Sequence, residues 1–333
     1  MEIAWKTILG HEETIARLRA LRAEGRLPHA LLFYGPEGVG KLRVARALAA
    51  ELLCDGEGAR PCGVCRQCRS LLQDAHPDYY EIHPEGKTAK STKMIKIETI
   101  RAMEADVERA PLQANQRVVV IDDAEKMNEA AENSLLKTLE EPKGAVHFIL
   151  VTRARSSLLD TIRSRCMNVG FGGIPEAALA EALALRGISQ DLAAELAALS
   201  DGSFGRALAL YEGGGLTLRD DAASFLMQLS SFTVKQVFER GATMESWPRE
   251  KLMEWFLYLG MLLRDLLVLS EDGASPLLYH KDLRERLAAC LPAFPLPRIE
   301  ALLVLVRAMN RRLLANVNQR LLLEGFFLRA MEA

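Results

Sequence analysis

The chain has 333 residues, 49% of them hydrophobic and 26% charged, with a formal net charge of −2. Such a length and composition predict a soluble globular protein of two or three domains, each with a core of its own. The near-balanced charge argues against a free-standing nucleic-acid binder, which would carry a marked basic excess, so any contact with DNA has to be local or shared.

The first residues, Met1 to Lys6, lack the basic segment and long apolar run of a secretory signal, which points to the cytoplasm. Ile15, Leu18 and Leu21 then fall at helical spacing, and Gly25 stops the pattern as a C-terminal glycine cap would. Leu31-Leu32-Phe33-Tyr34 reads as a strand, followed by Gly35-Pro36-Glu37-Gly38-Val39-Gly40-Lys41 and a helical run from Leu42. Strand, glycine-rich loop and helix in this order make a phosphate cradle. The glycines let successive N–H groups converge, the helix aims its positive end there, and Lys41 adds a cation. The next position should carry the Ser or Thr hydroxyl that ligates the magnesium of a bound nucleotide, and Leu42 stands there instead. A nucleotide-binding ancestry is expected, with ATP and magnesium binding weak or absent and little or no hydrolysis.

Four of the six cysteines follow as Cys54-x7-Cys62-x2-Cys65-x2-Cys68. In a reducing compartment, overlapping C-x-x-C pairs predict metal rather than disulfides, and four thiolates suit tetrahedral zinc with no open position, hence a structural site. An iron–sulfur cluster fits less well, because the run does not continue into the remaining cysteine of the ferredoxin pattern. Cys166 and Cys290 stand alone and read as small buried hydrophobes.

Residues 78–83 read as the next strand. Residues 84–93 read as an exposed loop whose Lys87, Lys90 and Lys93 are solvated, and Ile97, Ile100, Met103 and Val107 then mark a helix. The β-branched run Arg117 to Ile121 predicts a strand buried on both faces, ending in Asp122 and Asp123. At the carboxyl end of a parallel strand these acids share an edge with the phosphate loop. Asp122 would there hold magnesium through its water shell, while Asp123, one methylene shorter than the usual Glu, fits the water-activating role poorly. A helix over 128–140 ends at Pro142, and a strand over 145–152 ends in Thr152, placed to sense a γ-phosphate. This alternation from 30 to 170 predicts an α/β fold with a doubly wound, largely parallel sheet.

Gly170 to Pro175 reads as a hinge. Beyond it come two short Ala/Leu helices, Gly202-Ser203-Phe204-Gly205-Arg206, a linker at Gly213 to Gly215, and only helical periodicity from about Leu216. The apolar stretch Leu252 to Leu269 is interrupted by Glu254, Arg264 and Asp265, so it predicts a core helix and no membrane span. The closing block, Ile299 to Met331, is apolar nearly all round and predicts a helix packed on several sides, in a bundle core or a subunit interface.

Gly10-His11-Glu12, Leu27-Pro28-His29-Ala30, the phosphate loop, the cysteine module, Asn133 to Pro142 and Thr161-Ile162-Arg163-Ser164-Arg165-Cys166 together resemble the bacterial clamp-loader subunits of the AAA+ family. Asn316 to Leu321 extends the likeness more weakly toward the C-terminus. The resemblance implies an AAA+ P-loop domain over 1–172 with the zinc module at 54–68, a small helical lid domain over 173–213, and a helical collar domain for oligomerisation over 216–333. It also implies a part of the DNA polymerase III assembly that loads the sliding clamp onto primer-template DNA, beside gamma/tau ATPase and delta subunits. Within it, a rigid stator would carry a degenerate nucleotide site at Gly35, Gly38, Gly40, Lys41, Asp122, Asp123 and Thr152.

By the same resemblance Arg165 is an arginine finger acting in trans, a role that suits a guanidinium because it stabilises charge on a transferring phosphoryl group. The ATPase members carry an Arg where Gly205 stands here. Arg206 lies one residue later, about 100° round a helix, and is not expected to sense nucleotide. The alternatives are an active gamma-type ATPase and a zinc-containing nucleic-acid-binding protein on a degenerate P-loop fold.

Overall fold

A computed structural model describes residues 3–85, 93–212, 215–313 and 318–333. Lys87 and Lys90 of the basic loop, Gly213 and Gly214 of the linker, and Leu314 to Val317 lie outside the described residues. The chain divides into two compact units, Met1–Ile188 with Asp201–Arg206, and Ser189–Ser200 with Ala207–Ala333.

In the first unit the elements run α1 (Glu12–Ala23), β1 (Ala30–Tyr34), α2 (Lys41–Leu53), α3 (Arg66–Leu72), β2 (Tyr79–Ile82), α4 (Ile97–Val107), β3 (Arg117–Ile121), α5 (Glu129–Glu140), β4 (Val146–Thr152), α6 (Asp160–Arg163), β5 (Met167–Gly170) and α7 (Glu176–Ala184). The strands pair in the order β2-β3-β4-β1-β5, every pair parallel. This is the doubly wound parallel sheet that the alternating pattern predicts. Side chains alternate between two cores. Leu31, Phe33, Val118, Val120, Ile149 and Val151 pack with α1, α2 and α3 on one face. Leu32, Val119, Ile121, Phe148 and Leu150 pack with α4, α5 and α6 on the other. Each such buried apolar side chain contributes about 1.5–3 kcal/mol, which is why the central strands are largely apolar.

Local signals act where the sequence places them. Gly25 takes φ +67 after α1 and the Arg26 N–H returns to the Leu21 carbonyl at 2.8 Å, closing a Schellman cap. Asn128 caps α5 by accepting from the Ala131 N–H at 2.9 Å. The fifth strand is not foreseen from sequence: Met-Asn-Val-Gly is short and half polar, and it is a strand because β1 offers it an edge. Asp78, fully buried before β2, accepts from the N–H groups of Leu112, Gln113 and Ala114 at 2.7, 2.7 and 2.8 Å and faces the buried Arg117.

The second unit is helical among its described residues: α8 (Gln190–Leu199), most of α9 (Phe204–Glu212), α10 (Gly215–Gln228), α11 (Val234–Glu245), α12 (Arg249–Glu271), α13 (Arg284–Cys290), α14 (Leu296–Leu313) and α15 (Gln319–Glu332). Its centre is aromatic. Phe225, Trp255, Phe256, Phe326 and Phe327 meet largely edge to face, and the Arg240 guanidinium lies 5.2 Å from the Phe225 ring. α12 is a buried core helix, and its fully buried Asp265 is satisfied by the N–H groups of Tyr279 and His280 and by the His280 ring at 2.7 Å. Among the described residues no single helix is long and apolar enough to cross a membrane. The apolar closing block is two helices rather than one, because Asn318 caps α15 by accepting from the Leu321 N–H at 3.0 Å.

Replacing Asp78 with Ala strips three backbone donors of their acceptor and leaves Arg117 without its buried carboxylate. Denaturant unfolding of Asp78→Ala is expected to show a loss of at least about 3 kcal/mol.

Candidate nucleotide and metal sites

Parallel pairing brings the carboxyl ends of β1, β3 and β4 to one edge, and the loop between β1 and α2 lies there over a cavity of about 710 Å³. Gly38, Gly40, Lys41, Asp122, Asp123 and Thr152 all line it, so the sequence-derived nucleotide residues do come together. Gly35 contributes its carbonyl instead: the Lys41 ammonium donates to Gly35 O at 2.7 Å and Pro36 O at 2.6 Å. Burial pulls the Lys41 pKa below its ordinary value, against the opposing pull of Glu125, Asp122 and Glu37.

Gly38 has to be a glycine. At φ +73, a Cβ on it would stand 2.3 Å from the Ser203 hydroxyl oxygen and 3.3 Å from Gly205. The same approach accounts for Gly205, whose N–H donates to Gly38 O at 3.0 Å and whose own Cβ would lie 3.1 Å from the Gly38 Cα. Among the described residues the wall takes Phe204 and Gly205 from this turn and not Arg206.

Most polar groups at the edge have an internal partner. His83 Nδ1 lies 3.4 Å from Asp122 Oδ2, while its Nε2 lies 2.7 Å from Glu81 Oε1. Burial, and Asp123 beside it, push the Asp122 pKa up. Asp123, in a left-handed conformation at φ 47, meets Lys126 at 2.6 Å. The buried Thr152 hydroxyl donates to Ala154 O at 3.2 Å, and Arg153 reaches Glu37 of the phosphate loop at 2.9 Å and Glu125 at 3.5 Å. Sequence reasoning missed His83, Glu81 and Arg153. The signal was available: β2 and β3 are parallel neighbours, so the residue after β2 lands beside the residue after β3.

Arg165 is elsewhere. It follows α6 at the surface, partly exposed, donating to Thr161 O at 2.8 Å and paired with Glu140 at the end of α5. Among the described residues it is not part of the cavity wall.

Cys54, Cys62, Cys65 and Cys68 converge, their Sγ atoms all within 4.8 Å of one another. Cys54 and Cys65 are 3.9 Å apart and Cys62 and Cys68 4.0 Å, near the roughly 3.8 Å edge of a tetrahedron with Zn–S bonds of about 2.3 Å. Backbone N–H groups of Cys62, Cys65 and Cys68 point at sulfurs at 3.3–3.4 Å, as expected of donors that support thiolates. N–H groups of Val64 and Cys65 lower the Cys62 thiol to about 6. A Cβ on Gly56 would meet the Cys62 sulfur at 2.6 Å, so that position too requires glycine. The donor set can hold a metal ion. Cys166 is buried, its thiol pushed up to about 12 by burial, as expected of an inert cysteine. Cys290, predicted buried, is only half-buried because it ends α13.

The Glu81 cluster generates a pH signature. Burial opposes its ionisation, but hydrogen bonds from Arg46 and Tyr79 outweigh that and bring its pKa from 4.5 to about 2. A depressed carboxylate stabilises the fold above 4.5 and loses that stabilisation as pH falls through about 2. Glu81→Gln is expected to cost about 2–3 kcal/mol at neutral pH and to flatten the acid side of a melting-temperature profile.

The family profile described as "DNA polymerase III, delta subunit" matches residues 10–174. The DNA polymerase III subunit delta-prime of Pseudomonas aeruginosa is 35% identical over 254 residues, 74% of either chain. That of Bacillus subtilis is 33% identical over 202 residues, 60% of either chain. The DNA polymerase III subunit tau of Salmonella typhimurium is 38% identical over 162 residues, 48% of this chain and 24% of the relative. With a family profile across the nucleotide domain and a relative matched over most of its length, this chain belongs to the DNA polymerase III delta-prime subunit family.

Proposed function

We propose that this chain serves DNA replication as a stator-like subunit of the cytoplasmic clamp loader. It assembles with gamma/tau ATPase and delta subunits, acts on the sliding clamp and primer-template DNA through that assembly, and supplies Arg165 to a neighbour's ATP. The collar is assigned to the C-terminal helices from 216 on, and the lid to 173–213. The exposed apolar side chains Val234, Phe238, Val304 and Leu321 on the helices of the second unit support an assembly role.

The observation that carries this reading is the separation of the chain's own chemistry into two places. The cavity lacks a hydroxyl at Leu42, while Arg165 stands at the surface on a solvent-exposed pair with Glu140. An exposed ion pair is worth about 0–1 kcal/mol, so a neighbour's γ-phosphate, with its greater charge, competes for the guanidinium at little cost. Bound at Cys54, Cys62, Cys65 and Cys68, zinc would supply a cross-link and no reaction. Those thiolates would hold α3 and the loop after α2 against the sheet, since Cys68 and Cys54 are already part of its core.

Arg165→Ala in a complex reconstituted with the ATPase subunits, clamp-opening subunit and clamp is expected to leave assembly intact. It should slow turnover at the site it faces by at least about tenfold; unchanged turnover removes the role. An isolated chain that turned over ATP at about one per second would favour the active-ATPase alternative. For the metal, elemental analysis should return about one zinc per chain, and Cys65→Ser should abolish it while lowering the melting temperature. Metal-free protein of unchanged melting temperature would remove zinc from the account.

A further inference from the structure

In a phosphate-loop site the nucleotide's magnesium needs a hydroxyl at the start of the helix and an available carboxylate at the end of the neighbouring strand. The residues present do not fit that cation. Leu42 offers no oxygen, and the imidazole of His83, hydrogen-bonded to Glu81 at 2.7 Å, stands 3.4 Å from Asp122. Asp123 is held by Lys126 at 2.6 Å, and the Thr152 hydroxyl by the Ala154 carbonyl.

The cavity itself is intact. Five cationic side chains, Lys6, Lys41, Arg43, Arg153 and Arg186, line it against three acidic ones, Glu37, Asp122 and Asp123. Its remaining walls include Ile8, Leu9, Leu42, Ile174 and Leu185, apolar surface that suits a flat base. The N-terminus of α2, a helix of 13 residues, opens beneath with Lys41 in its first position.

We propose that this pocket takes a nucleoside polyphosphate as the free anion, without magnesium, its charge met by Lys41, Arg153 and the α2 N-terminus. The inference rests on the reading of residues 35–41 as a nucleotide pocket. His83 is a positioning residue here. It crowds the carboxylate that would face the cation's water shell, and Leu42 removes the other ligand. Both Lys41 and Arg153 exchange internal partners for phosphate oxygens: Lys41 leaves Gly35 O and Pro36 O, and Arg153 leaves Glu37. Binding so arranged positions no metal to stabilise a leaving phosphate, so the nucleotide is held and not cleaved.

The test is a titration of the full chain with fluorescent N-methylanthraniloyl-ATP, in excess magnesium and again in EDTA. Because excess magnesium draws the nucleotide away as its magnesium complex, the expected dissociation constant is at least about tenfold weaker in magnesium than in EDTA, and Lys41→Ala weakens the EDTA value by at least about tenfold. Leu42→Ser/His83→Ala, checked for an unchanged melting temperature, is expected to bind at least about tenfold more tightly with magnesium than without. Tightening of that size in the unaltered chain overturns the inference, as does a double variant indifferent to magnesium. No saturable binding under either condition overturns it as well, and leaves the in-trans role of Arg165 standing on its own assay. Conversely, an Arg165→Ala complex of normal turnover ends that role without touching this titration.

Discussion

Parallel strand pairing is the constraint from which the chemistry of the first unit follows. Tyr34 pairs with Thr152 and Ile121 with Leu150, so β1, β3 and β4 end at one edge and deliver their next residues to one place. The α2 N-terminus points there as well, because the loop that joins it to β1 is only six residues long. Backbone N–H groups, a lysine and two aspartates converge on the edge by topology alone.

Convergence does not decide what the groups do, since they also find one another. The Lys41 ammonium turns to loop carbonyls, Asp122 to His83, Asp123 to Lys126 and Arg153 to Glu37. These contacts differ in strength according to burial. Arg46 and Glu81 lie largely out of solvent and hold each other in a bidentate pair, whereas Arg153 and Glu37 are exposed and yield readily to a competing anion. The same scale sets Arg165 apart, because its partner Glu140 is half in water.

Close approaches add a second layer of constraint. Gly38 and Gly205 approach so closely that a Cβ on either would be crowded, which ties the phosphate loop to the first turn of α9, and the cavity wall there takes Gly205 and not Arg206 among the described residues. Gly56 plays the same part against Cys62. In the second unit, a carboxylate and an imidazole, Asp265 and His280, are buried together, with His280 Nδ1 2.7 Å from Asp265 Oδ2. Such a pair reads from sequence only as a charge that excludes a membrane.

Much was legible in the chain itself. Periodicity marked four of five strands and the helices between them, because burial on two faces demands continuous apolar runs and burial on one demands helical spacing. Spacing marked the phosphate loop and the four thiols, since both depend on residues near one another along the chain. β5 was not legible, being a strand only by virtue of its neighbour. Nor were His83, Glu81 and Arg153, because their roles come from residues separated by tens of positions and joined through the sheet. Local chemistry was thus determined by the sequence alone: a lysine over a glycine loop, a leucine in place of a hydroxyl, and four cysteines in register. Tertiary structure decided which of those groups remain available, because availability depends on partners that only the folded sheet brings within a few ångströms.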